Sequence, residues 1–245
     1  AKAEDLDNLN AEVAACFEEN KVKVFLMSPE VWEQNNPDYH QFGHPRIEPV
    51  TVDVPAYQGT PSVNRYQAIG QIMPTIDDRD IVISQIGFPS KEVYNTMDRD
   101  TNFYMLGALG SAVEVGIGLA LSVPDRHVYI IDGDGSMFFN PNQLIDLAAM
   151  QPENLTLICL DNGSWGSAGN QPPLSSQGFN LSGIPNSMGI KSQAMTDDKE
   201  AMQQALRDKK QFVHYFIEAG NDKVGGEIPL TALAIKQRFM DAIAS

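Results

Sequence analysis

The chain has 245 residues, a formal net charge of −15, 42% hydrophobic residues and two cysteines, Cys16 and Cys159. That length buries a substantial core as one large domain or two small ones. The acidic balance argues against a nucleic-acid partner while leaving room for a local basic patch, and two cysteines in apolar settings make neither a disulfide framework nor a cysteine metal site. No apolar run is long enough to cross a bilayer, and the first residues are acidic and polar, so a cytoplasmic protein with no membrane contact is expected.

Leu6, Leu9, Val13, Ala14 and Phe17 recur at helical spacing, and Val22 to Met27 reads as a strand. One helix and one strand cannot form a domain, so residues 1–30 are expected to lean on a partner chain or on the rest of their own subunit. Residues 31–61 are rich in Pro, Asn, Gly and aromatics without periodicity and read as a linker. His40 and His44 fall there. Two histidines four apart can share a metal on a helix face, but Gly43 and Pro45 oppose a helix, so loop packing or a reach into a neighbouring site is expected instead.

Ser62 to Met73 reads as a helix capped by Ser62, with Tyr66, Ile69, Ile72 and Met73 facing inward. Asp80 to Ser84 is the first strand of the main domain, and Gly87-Phe88-Pro89-Ser90 turns into a helix starting near Lys91, with Ser90 as cap. Between Asn102 and Leu121, Gly107, Gly110, Gly116 and Gly118 stand among small apolar residues, a density that permits close packing at a cost in helix propensity. Tight core packing is expected of Gly116 and Gly118, and Glu114 in the same helix is expected to be solvated or paired.

The β-branched run Val128 to Ile131 suits a buried parallel strand, and it ends in Asp132-Gly133-Asp134-Gly135-Ser136. A helix follows, with Asn140 as cap, Pro141 at its first position and Leu144, Ile145, Leu147, Ala148 and Ala149 as its apolar face. A second buried strand, Leu155 to Leu160, ends in Asp161-Asn162. In an open α/β sheet, ligands sit beyond the carboxyl ends of the strands. Asp134 and Asn162 offer hard oxygens to a cation of the Mg²⁺ type, which is commonly shared with phosphates, and the N–H groups of Gly135 and Ser136 lead into a helix, where a phosphate could face them. Asp-Gly alone is also a common turn; the spacing to Asn162 carries the weight.

Gly163 to Gly183 forms a polar loop of a length more often functional than idle. Strand-like Ile190 to Ala194, helical Asp198 to Leu206, strand-like Phe212 to Glu218 and a helix from about Thr231 complete an alternating pattern. Asp197-Asp198-Lys199-Glu200 reads as a helix start, and Phe239 and Met240 as packing residues. The fold class is α/β, a mainly parallel sheet with helices on both faces.

Gly133-Asp134-Gly135 followed by Asn162 at the end of the next strand resembles the cofactor and Mg²⁺ motif of the thiamine diphosphate-dependent enzymes. The likeness continues through Ser84 to Glu92 (SQIGFPSKE), Asn102 to Gly110 (NFYMLGALG) and Gly166 to Gln171 (GSAGNQ), over roughly Val63 to Ser245. Together these segments resemble the sulfopyruvate decarboxylase β-subunit family, with the phosphonopyruvate decarboxylases as near relatives. The resemblance implies a thiamine diphosphate-binding fold, with residues 62–245 as the diphosphate-binding domain and residues 1–30 similar to the end of a pyrimidine-binding domain. It implies cofactor contacts from Gly107, Leu109, Gly110, Gly133, Asp134, Gly135, Ser136, Asn162, Ser164, Trp165 and Gly166. Of these, Leu109 would prop the bent cofactor and the Gly107 carbonyl would accept from the pyrimidine amino group. Asp134, Asn162 and the main-chain carbonyl of Ser164 would hold Mg²⁺, and Ser90, Lys91, Asn170 and Gln171 would lie toward the substrate.

The reaction implied is decarboxylation of a 2-oxo acid, 3-sulfopyruvate giving sulfoacetaldehyde and CO₂ in coenzyme M biosynthesis, with the cofactor as electron sink. In the family the activating glutamate belongs to the pyrimidine-binding domain. No catalytic residue is therefore expected on this chain, Glu12, Glu18 and Glu30 included, and a separate α-type chain in an α₂β₂ or larger assembly is expected to supply it. Phosphonopyruvate is the alternative substrate. A 2-oxo acid oxidoreductase β subunit is disfavoured because two cysteines are too few for an iron–sulfur cluster. A non-catalytic pairing subunit would have no use for an intact Asp134, Asn162 and glycine turns.

Overall fold

The computed structural model describes residues 6–19, 57–190, 192–223 and 225–244, and the chain divides into two units, Ala1–Pro49 and Val50–Ser245. In the first unit the expected helix is present as α1 (Leu6–Glu18). The strand expected over 22–27, and His40 and His44, lie outside the described residues.

The second unit is built on one sheet of six strands: β1 (Ile81–Ser84), β2 (Asn102–Tyr104), β3 (Val128–Gly133), β4 (Leu155–Asp161), β5 (Gln193–Thr196) and β6 (Phe212–Phe216). All neighbours pair in parallel, in the order β2-β1-β3-β4-β6-β5. The helices are α2 (Arg65–Ile72), α3 (Phe88–Thr96), α4 (Ala112–Ser122), α5 (Asp134–Phe139), α6 (Asn142–Met150), α7 (Gly183–Ser187), α8 (Lys199–Arg207) and α9 (Ala232–Ala244). Successive strand residues point to opposite faces. Val82, Tyr129, Ile131, Ile158, Leu160, Val213 and Tyr215 pack with Ile69 of α2, Val93 of α3 and Met202 of α8. Ile81, Ile83, Ile130, Leu157, Cys159 and Phe212 pack with Val113 of α4, Leu144 of α6 and Phe239 of α9. Covering both faces is what lets β3 and β4 be apolar at nearly every position. No helix among the described residues is long and apolar enough to cross a membrane.

Several local expectations are corrected by tertiary contacts. The cap of α2 is Asn64, not Ser62: its side chain accepts from Gln67 N while the Gln67 side chain accepts from Asn64 N, a complete capping box. Ile69, Ile72 and Met73 are buried as expected, joined by Arg65 and Ala68, while Tyr66 is only half-buried. Arg65 tolerates burial because Glu92 takes its guanidinium at 2.6 and 2.9 Å and Asn221 Oδ1 at 2.8 Å.

Helix α3 starts at Phe88 behind Gly87, so Ser90 lies inside it. The Ser90 hydroxyl donates to the carbonyls of Ser84 and Gln85 instead of capping. Asn140 ends α5 and does not cap α6, whose Ile145 and Ala149 are exposed. Gly116 packs as expected, since a methyl there would lie 2.3 Å from Ile130 Cδ1, whereas Gly118 faces open space. Phe239 is buried, but Met240 is exposed. Strand β5 comes later than expected, because Ile190 is buried in the turn that precedes it.

Candidate cofactor and cation site

The carboxyl-end turns of β1 to β4 lie side by side, because all four strands run the same way in adjacent positions. Asp132, at the end of β3, is almost fully buried, and its carboxylate accepts from Gly133 N at 2.8 Å, Ser136 Oγ at 3.0 Å and Gln85 Nε2 at 3.3 Å. Gln85 follows β1 and also donates to Ser136 Oγ. Burial pushes the Asp132 carboxyl up to about 6 despite these three donors. The turn is thus fixed from inside. With its hydroxyl engaged, Ser136 has only its main-chain N–H, in the first turn of α5, to offer a ligand.

Asp134, the next carboxylate, is 2% exposed and accepts from Ser175 Oγ at 2.7 Å. Burial, and then the charge of Asp161 beside it, push the Asp134 carboxyl up. Burial also raises Asp161, but contact with His214 and the Gly163 N–H outweighs it and holds that carboxyl below its ordinary range. Asp161 Oδ1 accepts from Gly163 N at 3.0 Å and Oδ2 from His214 Nε2 at 2.9 Å. Asn162 comes next, buried, its Oδ1 accepting from Ser164 N at 3.1 Å. The Ser164 carbonyl accepts from Gly166 N at 3.0 Å, which leaves it a second lone pair. Buried Asp134 and Asn162, at the ends of neighbouring strands, and the Ser164 carbonyl two residues further on form a set of hard oxygen donors. A cation of the Mg²⁺ type fits such a set.

The glycines at the site have individual reasons. A methyl on Gly135 would sit 2.8 Å from the Trp165 ring, which lies against this turn. Gly110 has φ +77°, and a methyl there would meet Asn140 Cβ at 2.6 Å, because Asn140 donates to the Gly110 carbonyl at 2.6 Å. Asn140 thereby ties the 107–110 turn to the end of α5. It also donates to Glu114 Oε1 at 2.9 Å, so Glu114 is paired, while its Oε2 is enclosed with no hydrogen-bond partner.

Thus Gly107, Leu109 and Gly110 follow β2, Gly133 to Ser136 span the end of β3 and the first turn of α5, and Asn162 to Gly166 follow β4. Ser90 is turned inward against β1, and Lys91 pairs with Glu227 at 2.5 Å. Asn170 and Gln171 are exposed on the loop that folds back on Trp165, where Trp165 N donates to the Gln171 carbonyl at 2.8 Å. Beside Asp161, Asn162 and Gly163 opens a cavity of about 440 Å³, also walled by Tyr57, Phe179, His214 and Phe216. The motif pattern missed Gln85, Ser175 and His214. His214 alone left a signal, a polar residue inside an otherwise apolar strand.

The chain belongs to the thiamine pyrophosphate enzymes: residues 85–218 match the C-terminal TPP-binding domain of that family. Among individual relatives, it is 32% identical over 253 residues to the sulfopyruvate decarboxylase of Methanosarcina acetivorans, a match covering 99% of this chain and 65% of that protein. It is 35% identical over 182 residues to sulfopyruvate decarboxylase subunit beta of Methanocaldococcus jannaschii, covering 73% of this chain and 96% of the relative. A phosphonopyruvate decarboxylase of Streptomyces viridochromogenes is 34% identical over 180 residues, covering 71% of this chain and 45% of the relative. The fold is shared with the Rhodococcus jostii thiamine diphosphate-dependent 4-hydroxybenzoylformate decarboxylase, with a TM-score of 0.56 and 18% identity over 74% of this chain and 37% of that one.

Proposed function

We propose that this chain is the diphosphate-binding part of a thiamine diphosphate- and Mg²⁺-dependent decarboxylase, converting 3-sulfopyruvate to sulfoacetaldehyde and CO₂ as a step of coenzyme M biosynthesis. The observation that carries this reading is that buried Asp134 and buried Asn162 stand at the carboxyl ends of neighbouring parallel strands, β3 and β4, where their oxygens suit a divalent cation. Asp134, Asn162 and the Ser164 carbonyl would hold the cation. The N–H groups of Gly135 and Ser136, with Trp165 and Gly166 alongside, would meet the diphosphate, and Gly107, Leu109 and Gly110 the pyrimidine end. When bound, the cofactor supplies the electron sink for CO₂ loss. Lys91, Asn170 and Gln171 are proposed for the substrate's acidic end, with Ser90 bracing the turn that carries Lys91.

The activating glutamate would come from an α-type partner chain in an α₂β₂ or larger assembly. The relatives named subunit beta, matched over nearly their whole length, support that arrangement. The Methanosarcina relative, named without a subunit and matched over 99% of this chain, favours a second one, with the pyrimidine-binding part in the same polypeptide. Phosphonopyruvate remains the alternative substrate, on the strength of the Streptomyces relatives.

The test is CO₂ release from sulfopyruvate and from phosphonopyruvate with thiamine diphosphate and Mg²⁺, using this chain alone and with its co-purifying partner. Activity that requires the partner and favours sulfopyruvate is expected. Activity from residues 1–245 alone would sink the division of the site between two pyrimidine- and diphosphate-binding parts. Preference for phosphonopyruvate would overturn the substrate.

A further inference from the structure

Central strand β6 carries one residue that packing does not explain. His214 is 2% exposed, flanked on its own strand by Phe212 and Phe216, and an apolar side chain would fill that slot without the cost of burying an imidazole. Both of its ring nitrogens are engaged. Nε2 lies 2.9 Å from Asp161 Oδ2, and Nδ1 hydrogen-bonds to the hydroxyl of Ser182, itself buried. A carboxylate can only accept, so Nε2 carries a proton toward Asp161, and the Ser182 hydroxyl holds the ring from its other nitrogen. The other oxygen of Asp161 accepts from Gly163 N, in a residue with φ +56°. Asp161 therefore joins β6 to the turn that presents Asn162 and Ser164, and His214 holds its second oxygen on the β6 side.

We propose that His214, acting through Asp161, is a positioning residue for the cation-binding turn 162–164, with Ser182 fixing the orientation of its ring. Hydrogen-bonded groups behind metal ligands set ligand orientation, and losing one typically weakens metal binding by about 10–100-fold. The inference rests on the cation site proposed above and extends it to three residues outside the ligand set.

Its test uses the protein with whatever chain co-purifies, thiamine diphosphate in excess, and Mn²⁺ as the probe, followed by the electron paramagnetic resonance signal of the free ion. His214→Phe keeps a planar aromatic ring and removes both hydrogen bonds; Mn²⁺ binding is expected to weaken about 10–100-fold, while circular dichroism matches the parent. His214→Gln retains an amide donor for Asp161 and is expected to recover most of the loss. His127→Phe removes a second buried imidazole, remote from the turn, and is expected to leave Mn²⁺ affinity unchanged. Parent-like binding by a folded His214→Phe, or a Gln variant as weak as the Phe variant, overturns the proposal. If His214→Phe does not fold, Ser182→Ala decides: weakened binding supports the role and parent-like binding overturns it. A parent protein that takes up no Mn²⁺ overturns the cation site itself, and this inference with it.

Discussion

His127 and His214 are both buried imidazoles on the sheet, yet their surroundings differ. His214 has a carboxylate on one nitrogen and a hydroxyl on the other. His127 has only Thr156 Oγ1 at 2.8 Å on Nε2, its Nδ1 is enclosed without a partner, and no carboxylate bonds the ring. Burial, helped by the charge of Lys209, lowers His127 from 6.5 to about 4. The unfolded chain therefore takes up this proton at a higher pH than the folded protein does. The contribution of the neutral ring is complete above pH 6.5 and is lost as pH falls from there through 4, amounting to about 3 kcal/mol in all. Urea midpoints at pH 7.5 and 4.5 should show this drop, and His127→Gln should remove most of it. An unchanged pH dependence in the variant would show that other groups cause the acid destabilisation.

Within elements, the clearest contrast is between two glycines of α4. A methyl at Gly116 would lie 2.3 and 2.7 Å from Ile130 side-chain carbons, whereas nothing lies within 4 Å of one at Gly118. Gly116→Ala should therefore destabilise by about 1–3 kcal/mol through overpacking, and Gly118→Ala should stabilise by about 0.5–1 kcal/mol through helix propensity. Chemical denaturation of both variants checks the pair; similar effects of the same sign would refute the packing difference. Periodicity could not separate these residues, because glycine contributes no side chain to a hydrophobic pattern and only the strand beneath distinguishes them. Capping shows the same limit: Ser62 and Asn64, or Asn140 and Pro141, are plausible starts in local terms. Asn140 was claimed instead by Gly110 and Glu114, which belong to a different stretch of chain.

For the whole molecule, the proposed cation and cofactor make a thermodynamic prediction. A ligand that binds only the folded state at 100 times its dissociation constant raises stability by about 2.7 kcal/mol. After EDTA treatment, thiamine diphosphate alone should leave thermal unfolding nearly unchanged, and adding Mg²⁺ should produce the full upward shift. Equal stabilisation without Mg²⁺ would count against Asp134 and Asn162 as shared ligands.

The alternating architecture, the positions of β1, β3, β4 and β6, the glycine turn at Asp134 and the placement of Asn162 could all be read from residue order. Strands buried on both faces leave continuous apolar runs, and the turns after them leave Gly, Asp and Asn. What residue order could not supply was the meeting of Asp161 with Asp134, of His214 with Asp161 across 53 residues, and of Ser175 with Asp134 across 41. The first depends on β3 lying beside β4, and the second on β6 lying beside β4, inside β5 which precedes it in the chain. Strand order and register across a parallel sheet are set by how the crossovers pack, and hydropathy along one strand carries no record of which strand lies beside it.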